Sequence, residues 1–147
     1  MRKFEVVTGF EGVVVIPTRA TKGSAGYDIH ICRNYDTYIK PGEVVMFDTG
    51  IKAQFPEDEV LMLFIRSSLG FKKGLILSNA VPIIDSDYYN NEDNEGHITL
   101  SITNVGNETQ VIPPNARVAQ GVFLKYYKTD DDNVEASRRG GVGSTGE

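Results

Sequence analysis

Cysteine is nearly missing from this chain: Cys32 is the only one in 147 residues. An internal disulfide is therefore impossible, which suits a reducing compartment such as the cytoplasm. No apolar run approaches the ~18 residues that a membrane-spanning helix needs. The start, Met1-Arg2-Lys3-Phe4-Glu5, is basic but no apolar stretch follows, so neither a secretory leader nor a membrane span is expected. Positive charge is also in deficit, with 15 Lys and Arg against 20 Asp and Glu, a net charge of -5. The basic residues are scattered and form no stripe of the kind that grips a nucleic-acid backbone, so duplex nucleic acid is not an expected partner. An acidic chain can still hold a small polyanion through a few aimed cations, backbone N–H groups or a metal. His30 and His97 stand alone, and no His/Cys/Glu cluster has the spacing of a zinc site. No Ser/His/Asp nucleophile set is evident. Helical periodicity is lacking too: no segment keeps a 3.6-residue apolar period for three turns.

What is present is β-forming sequence cut by frequent turns. Gly12–Pro17, Glu43–Phe47, Val60–Ile65, His97–Ile102 and Arg117–Phe123 read as strands. His97–Ile102 alternates polar and apolar residues, the pattern of a half-buried strand. Lys40-Pro41-Gly42, Asp48-Thr49-Gly50, Phe55-Pro56-Glu57-Asp58, Asn104-Val105-Gly106-Asn107 and Pro113-Pro114-Asn115 are turn signals between such runs. Ser67–Lys73 has room for one turn of helix. The expected fold is all-β, a jelly-roll-like barrel or sandwich with at most one short helix, built on a chain long enough to bury roughly two-thirds of its unfolded surface. From Thr129-Asp130-Asp131-Asp132-Asn133 onwards the composition turns polar. Residues 1–128 are thus expected to form the β domain. Residues 129–147 are too poor in apolar groups to fold alone, and form either a solvated terminus or a flexible arm that orders on a ligand or partner.

Five separated segments carry candidate chemistry. Asn79-Ala80-Val81-Pro82-Ile83-Ile84-Asp85-Ser86-Asp87-Tyr88 holds two aspartates. Taken locally this is a turn that favours Asp and Ser; read chemically, a carboxylate ionised at neutral pH can accept a proton from water. Arg66-Ser67-Ser68-Leu69-Gly70 supplies hydroxyl and backbone donors ahead of a helical turn, where anions are welcome. Ala25-Gly26-Tyr27-Asp28-Ile29 ends on an acid, and Arg117–Phe123 carries Gln120 inside an apolar run. On isolated strands Asp28 and Gln120 would read as a strand-end acid and an outward-facing residue. Arg139-Gly140-Gly141-Val142-Gly143-Ser144-Thr145-Gly146 is either a loose end or a nest of backbone N–H groups, with Arg138 and Arg139 supplying charge.

In order and spacing these five segments resemble the five motifs of the trimeric dUTPase family, and they cover residues 25–146. The resemblance implies an enzyme that cleaves dUTP to dUMP and pyrophosphate by water attack on the α-phosphorus. It implies a homotrimer with shared sites, and Mg2+ arriving on the triphosphate with retained waters. By the same resemblance, Asp85 orients and deprotonates the water, and Gln120 contacts that water and the α-phosphate. Ser67, with Arg66 and Ser68 beside it, faces the phosphate bridge. Asn79 and the backbone near Ile84 read the uracil edge, and the ring of Tyr88 lies against the deoxyribose and excludes a 2'-hydroxyl. Asp28 lies near the subunit interface and the waters of the metal. Arg138 or Arg139, with Gly143, Ser144 and Thr145, closes on the phosphates. Arg66 has a structural alternative, pairing with Asp28 or Asp87.

Three departures from the family pattern stand out. Val142 replaces the usual stacking phenylalanine, so either stacking is weak or another aromatic, Phe71 or Tyr89, supplies the lid. The arm arginine is placed slightly closer to the glycines than usual. Asn90-Asn91-Glu92-Asp93-Asn94-Glu95-Gly96 enlarges the loop after Tyr88; its acids would repel a triphosphate, so it is expected to point away or to meet a partner. Two rival functions follow from the same residues. A dCTP deaminase of the same fold would need groups that activate water at cytosine C4. A regulatory protein-binding module would use the 90–96 insertion on an otherwise idle scaffold.

Overall fold

The computed structural model describes residues 1–146. Its strands are β1 (Lys3–Val6), β2 (Tyr27–His30), β3 (Thr37–Ile39), β4 (Val44–Asp48), β5 (Ile51–Gln54), β6 (Glu59–Ile65), β7 (Leu75–Leu77), β8 (Ile83–Ile84), β9 (Thr99–Asn104), β10 (Gln110–Ile112) and β11 (Arg117–Lys125). Every pairing between them is antiparallel. The largest sheet runs β2-β11-β6-β8; a second runs β4-β9-β7, and two ribbons pair β1 with β5 and β10 with β3. The fold is all-β and jelly-roll-like.

The alternation read in the sequence decides which face is buried. Along β9, Leu100, Ile102 and Asn104 point inward while Thr99, Ser101 and Thr103 face out. Along β6, Glu59, Leu61 and Leu63 point inward. Ile29, Leu61, Leu63, Leu100, Ile102 and Val118 are wholly buried members of one core. Glu59 is buried at a strand start and is paired with Arg2. Asn104 is buried without penalty, because its amide donates to the carbonyls of Ile39 and Glu108.

The one α-helix among the described residues, α1 (Ser67–Lys73), falls where the sequence leaves room for it. A seven-residue helix is marginal by itself. Here Leu69 anchors it to the core, Lys72 and Lys73 complement its C-terminal end, and Gly74 ends it with φ 63. The run Gly12–Pro17 is not a strand. Val13, Val15 and Ile16 are exposed, and the segment packs mainly through Val14 against Gly50. β-branched composition alone does not make a strand without a ladder to join, and Pro17 has no N–H to contribute to one.

No helix among the described residues is long and apolar enough to cross a membrane. β11 ends at Lys125, and residues 129–146 add no strand. They return instead across the end of β8, where Arg138, Gly140 and Gly141 are packed in. Glu147, the last residue of the expected arm, lies outside the described residues.

Candidate active site

β8 is only two residues long, pairing Ile84 with Leu61 and Ile83 with Met62 of β6. It delivers the chain to Asp85, whose extended backbone starts a single 3₁₀ turn, Ser86–Tyr88. That turn swings Tyr88 back under the sheet edge. The result is a cavity of about 470 Å³, floored by Ser78, Asn79, Pro82, Ile83 and Ile84 and walled by Asp85 and Tyr88. Thr99 and Ser101 of β9 and Met46 of β4 form its far side, and Arg138, Gly141, Val142, Gly143 and Thr145 form its roof. Beside Asn79 the backbone is forced: Ala80 has φ 62, a left-handed conformation that costs a side-chain-bearing residue about 1 kcal/mol or more.

Tyr88 is nearly buried and held at its far end. Its hydroxyl donates to the His97 carbonyl at 2.8 Å and accepts from the Asn94 amide at 2.8 Å. Asn94 belongs to the 90–96 insertion, which is tightly laced. Asn91 donates to the Tyr88 carbonyl and to the Asn94 side chain, and its own carbonyl oxygen accepts the N–H groups of Asp93 and Asn94. Gly96, at φ 86, closes the loop where a Cβ would lie 2.8 Å from the Tyr88 carbonyl oxygen. Below it Lys52, itself buried, donates to Asn90 and pairs with Glu95 at 3.4 Å, while Glu95 accepts two hydrogen bonds from Thr8.

The electrostatic centre is one arginine between two aspartates. Arg138 reaches Asp85 at 2.8 Å and Asp87 at 2.9 Å, and its guanidinium lies over the Tyr88 ring, 5.6 Å from the centroid. Burial pulls the Arg138 pKa down, but the hydrogen bond and charge of Asp87, with Asp85 behind it, outweigh burial and hold it above the usual value. Arg138 also donates to Ser144 and to the carbonyls of Gly140 and Gly141, fixing the curl of the arm. Arg139 does not line the cavity; its carbonyl accepts the Glu92 N–H.

The other candidates sit elsewhere in the chain. Gln120 stands opposite Phe64 on β6, three positions from the residue opposite Ile84, which is roughly 10 Å along a strand. Its side chain covers Gly26, where a Cβ would overlap the Gln120 amide oxygen, so the glycine of the first segment is a seat for Gln120. Asp28 faces Gln120 across β2 and β11 and is paired with Arg117 at 2.9 Å. Arg66 pairs with neither Asp28 nor Asp87; it donates to the Arg117 carbonyl at 3.3 Å. Ser67 and Ser68 open α1. None of Asp28, Arg66, Ser67, Ser68 and Gln120 lines the cavity.

Sequence reading therefore brings Asn79, Ile84, Asp85, Tyr88, Arg138, Gly143, Ser144 and Thr145 to one place and leaves a second group apart. It missed Met46, Ser78, Thr99 and Ser101. The signal was the polar face of the alternating β9 strand, which is the face turned to the cavity. Neither candidate for a replacement lid reaches the cavity: Phe71 is 91% exposed on α1, and the Tyr89 hydroxyl is bonded to Glu5. The 90–96 insertion does not point away. It grips the arm, with the Asp93 carboxylate accepting the Gly141 N–H at 2.8 Å.

The dUTPase family profile matches residues 13–146. The chain is 46% identical to the deoxyuridine 5'-triphosphate nucleotidohydrolase of Lactococcus lactis, across 99% of this chain and 98% of that protein. Its structure is similar to that of a dUTPase from Streptococcus mutans, with a TM-score of 0.78 and 43% identity over 87% of this chain and 98% of the other. A mutant dUTPase of the Staphylococcus aureus phage phi11, in which a structural Mg(II) ion is coordinated, shares the fold at a TM-score of 0.72 and 19% identity, over 92% and 97% of the two chains.

Proposed function

The chain belongs to the dUTPase family and is a dUTP diphosphatase, hydrolysing dUTP to dUMP, and we propose that its residues divide this work between a nucleoside half and a phosphate half. The observation that carries the division is the cavity that unites Asn79, Ile84, Asp85 and Tyr88 with the arm while excluding Gln120, Ser67 and Asp28.

In the nucleoside half, uracil lies against the backbone around Asn79 and Ile84, whose polar groups reject cytosine by leaving donors unpaired. Tyr88 packs against the deoxyribose; held at its hydroxyl from two sides, the ring cannot retreat to admit a 2'-hydroxyl. Asp85 orients water for in-line attack on the α-phosphorus and takes its proton, as the bond to the bridging oxygen breaks and pyrophosphate leaves. Before substrate binds, Arg138 pairs with both Asp85 and Asp87 and offsets part of their charge. The triphosphate offers the arginine stronger partners, so Arg138 exchanges carboxylates for phosphate and frees Asp85. The N–H groups and hydroxyls of Gly143, Ser144 and Thr145 join it there.

In the phosphate half, Gln120 contacts the water and α-phosphate, and Ser67, flanked by Arg66 and Ser68, stabilises charge on the leaving group. Since this half lies away from the cavity of its own chain, a complete site needs a neighbouring copy, which supports a homotrimer with shared sites. Among the described residues no group of three or more His, Cys, Asp or Glu is placed to cage a metal. A Mg2+ ion arriving on the triphosphate with its waters would need no such cage; Asp28 would lie towards those waters, and the ion would supply neutralisation of phosphate charge. We assign the enzyme to the cytoplasm, where deoxynucleotides are handled. Neither dCTP deamination nor a purely regulatory role is favoured, because the relatives that match along the whole chain are dUTP nucleotidohydrolases.

The test is substrate discrimination. Purified protein with magnesium is incubated separately with dUTP, dCTP, dTTP and UTP, and products are separated chromatographically. dUMP and pyrophosphate from dUTP alone is the expected result; dUTP formed from dCTP would transfer the assignment to a deaminase.

A further inference from the structure

Gln120 is a long side chain asked to place one amide accurately, and its rotatable bonds work against that. Its backbone has no such freedom. β11 is paired on both sides there, with Asp28 of β2 and Phe64 of β6 directly opposite Gln120. The direction of the amide is therefore decided by what the side chain lies against. Asp28 does not hold it, because that carboxylate is turned to Arg117 at 2.9 Å. Among the described residues no side-chain hydrogen bond fixes the Gln120 amide. What lies beneath it is Gly26, buried at the entry to β2. A Cβ on Gly26 would sit 2.4 Å from the Gln120 amide oxygen, 3.0 Å from its Cβ and 3.2 Å from its Cδ. The space that a side chain at 26 would take is thus filled by Gln120. The usual reason for a glycine does not apply here, since Gly26 is not among the residues with positive φ and its backbone would accept alanine.

We propose that Gly26 is a positioning residue for dUTP hydrolysis: the side chain it lacks leaves a slot that holds the Gln120 amide in one direction. The inference rests on the reading of Gln120 as the residue that contacts the attacking water and the α-phosphate. An amide seated by packing keeps its N–H groups free for a phosphate oxygen and its carbonyl free for water. An amide tied to a protein partner would have to give up that bond first. Seating also removes side-chain freedom before substrate arrives, and a misplacement of about 1 Å at a reacting group can cost roughly 10²-fold in rate. Gly26, Asp28 and Gln120 act together across β2 and β11: the glycine leaves the room, and the acid two residues on is kept by Arg117 rather than by the amide. Alanine at 26 would spare the fold, because the atom it meets first is the far end of a flexible side chain, which can swing aside. The cost falls on where the amide then points.

Four proteins test this: wild type, Gly26→Ala, Gln120→Ala and the double variant, each measured for kcat and KM on dUTP and for melting temperature. Gly26→Ala is expected to melt close to the wild type and to lose about 10²-fold in kcat. Its KM should change by less than about threefold, because Gly26 lies outside the nucleoside cavity and the loss falls on the reacting geometry. In the double variant kcat should match that of Gln120→Ala within about twofold, since no amide remains to be displaced. Normal kcat in Gly26→Ala beside an impaired Gln120→Ala would overturn the positioning role alone, as would losses that multiply in the double variant. Full turnover in Gln120→Ala would remove the role of Gln120 itself, and that of Gly26 with it. A measurement on the unaltered protein decides the matter even where Gly26→Ala does not fold. In its NMR spectrum the Gly26 Hα protons should show nuclear Overhauser contacts to the side-chain protons of Gln120, which are identified by their loss in Gln120→Ala. Absence of those contacts would equally overturn the slot.

Discussion

Replacing Asp85 by asparagine changes the charge of the site and almost nothing else, since the side chain is 53% exposed and belongs to no core. Asp85→Asn is expected to keep the wild-type melting temperature within a few degrees and to lose about 10²–10⁴ in kcat, the usual weight of a general base. Near-normal turnover would remove Asp85 from the mechanism. Tyr88 allows a finer division. Tyr88→Phe keeps the ring but strands the Asn94 amide and His97 carbonyl, which costs about 1–3 kcal/mol of stability while discrimination against UTP persists. Tyr88→Ala removes the ring, and the UTP/dUTP ratio of kcat/KM should rise; an unchanged ratio with surviving dUTP activity would discard the steric gate. His97, whose carbonyl anchors that tyrosine, accepts the Gly50 N–H through Nε2 and so is unprotonated. Burial lowers its pKa, and Asp48 and Glu95 oppose this only in part. Below about pH 6.5 the unfolded chain therefore binds the extra proton first, so this part of the stability is complete above that pH and is lost as pH falls through the lower folded value. Thermal melts between pH 7.5 and 5.5 should show that decline in the wild type and a flatter profile in His97→Gln.

Among the elements, strands with clear alternation were legible and segments fixed by distant partners were not. β9 and β11 announce themselves through period-two patterning and a long apolar run, and α1 through the interval between β6 and the next strand. Gly12–Pro17 has equal β-propensity, but in the fold it joins no ladder and packs mainly through Val14 against Gly50, which composition alone does not reveal. The site followed the same rule. The motif strings contain Asp85, Tyr88, Arg138 and Arg139, yet no string says which arginine turns towards the aspartates; in the fold it is Arg138. The missing lid is likewise a property of the folded arm. Val142 is 84% exposed at the cavity roof, and neither Phe71 nor Tyr89 stands in for it. A phenylalanine at 142 would have open space at the cavity roof. Val142→Phe is expected to tighten a non-hydrolysable dUTP analogue by about 1 kcal/mol or somewhat more in a calorimetric titration, on the scale of base–aromatic stacking. Weaker binding would mean that an aromatic from a neighbouring subunit already covers the base.

At the scale of the molecule, the arm is expected to matter to turnover and little to folding. The core draws on residues from Phe4 to Phe123, with none beyond. The contacts given up by removing residues 137–147 are a few hydrogen bonds and the pairs of a largely covered Arg138 with two half-exposed aspartates, whose contact with water limits what the pairs contribute to stability. The deletion should therefore leave oligomer size and melting temperature nearly unchanged. Catalysis should respond quite differently. The arm carries the guanidinium that Asp85 and Asp87 hold in readiness and the glycine backbone that roofs the cavity, and aligned donors of this kind are each worth about 10²–10³ in rate. Loss of several together predicts a fall in dUTP turnover beyond that of any single arm substitution. Arg138→Ala by itself should reproduce only part of that fall, because the glycine N–H groups and Ser144 would remain. Gel filtration, thermal melting and steady-state kinetics on the deletion and on Arg138→Ala separate these outcomes. Full activity in the truncated protein would show that the arm closes the cavity in this structure without serving the reaction.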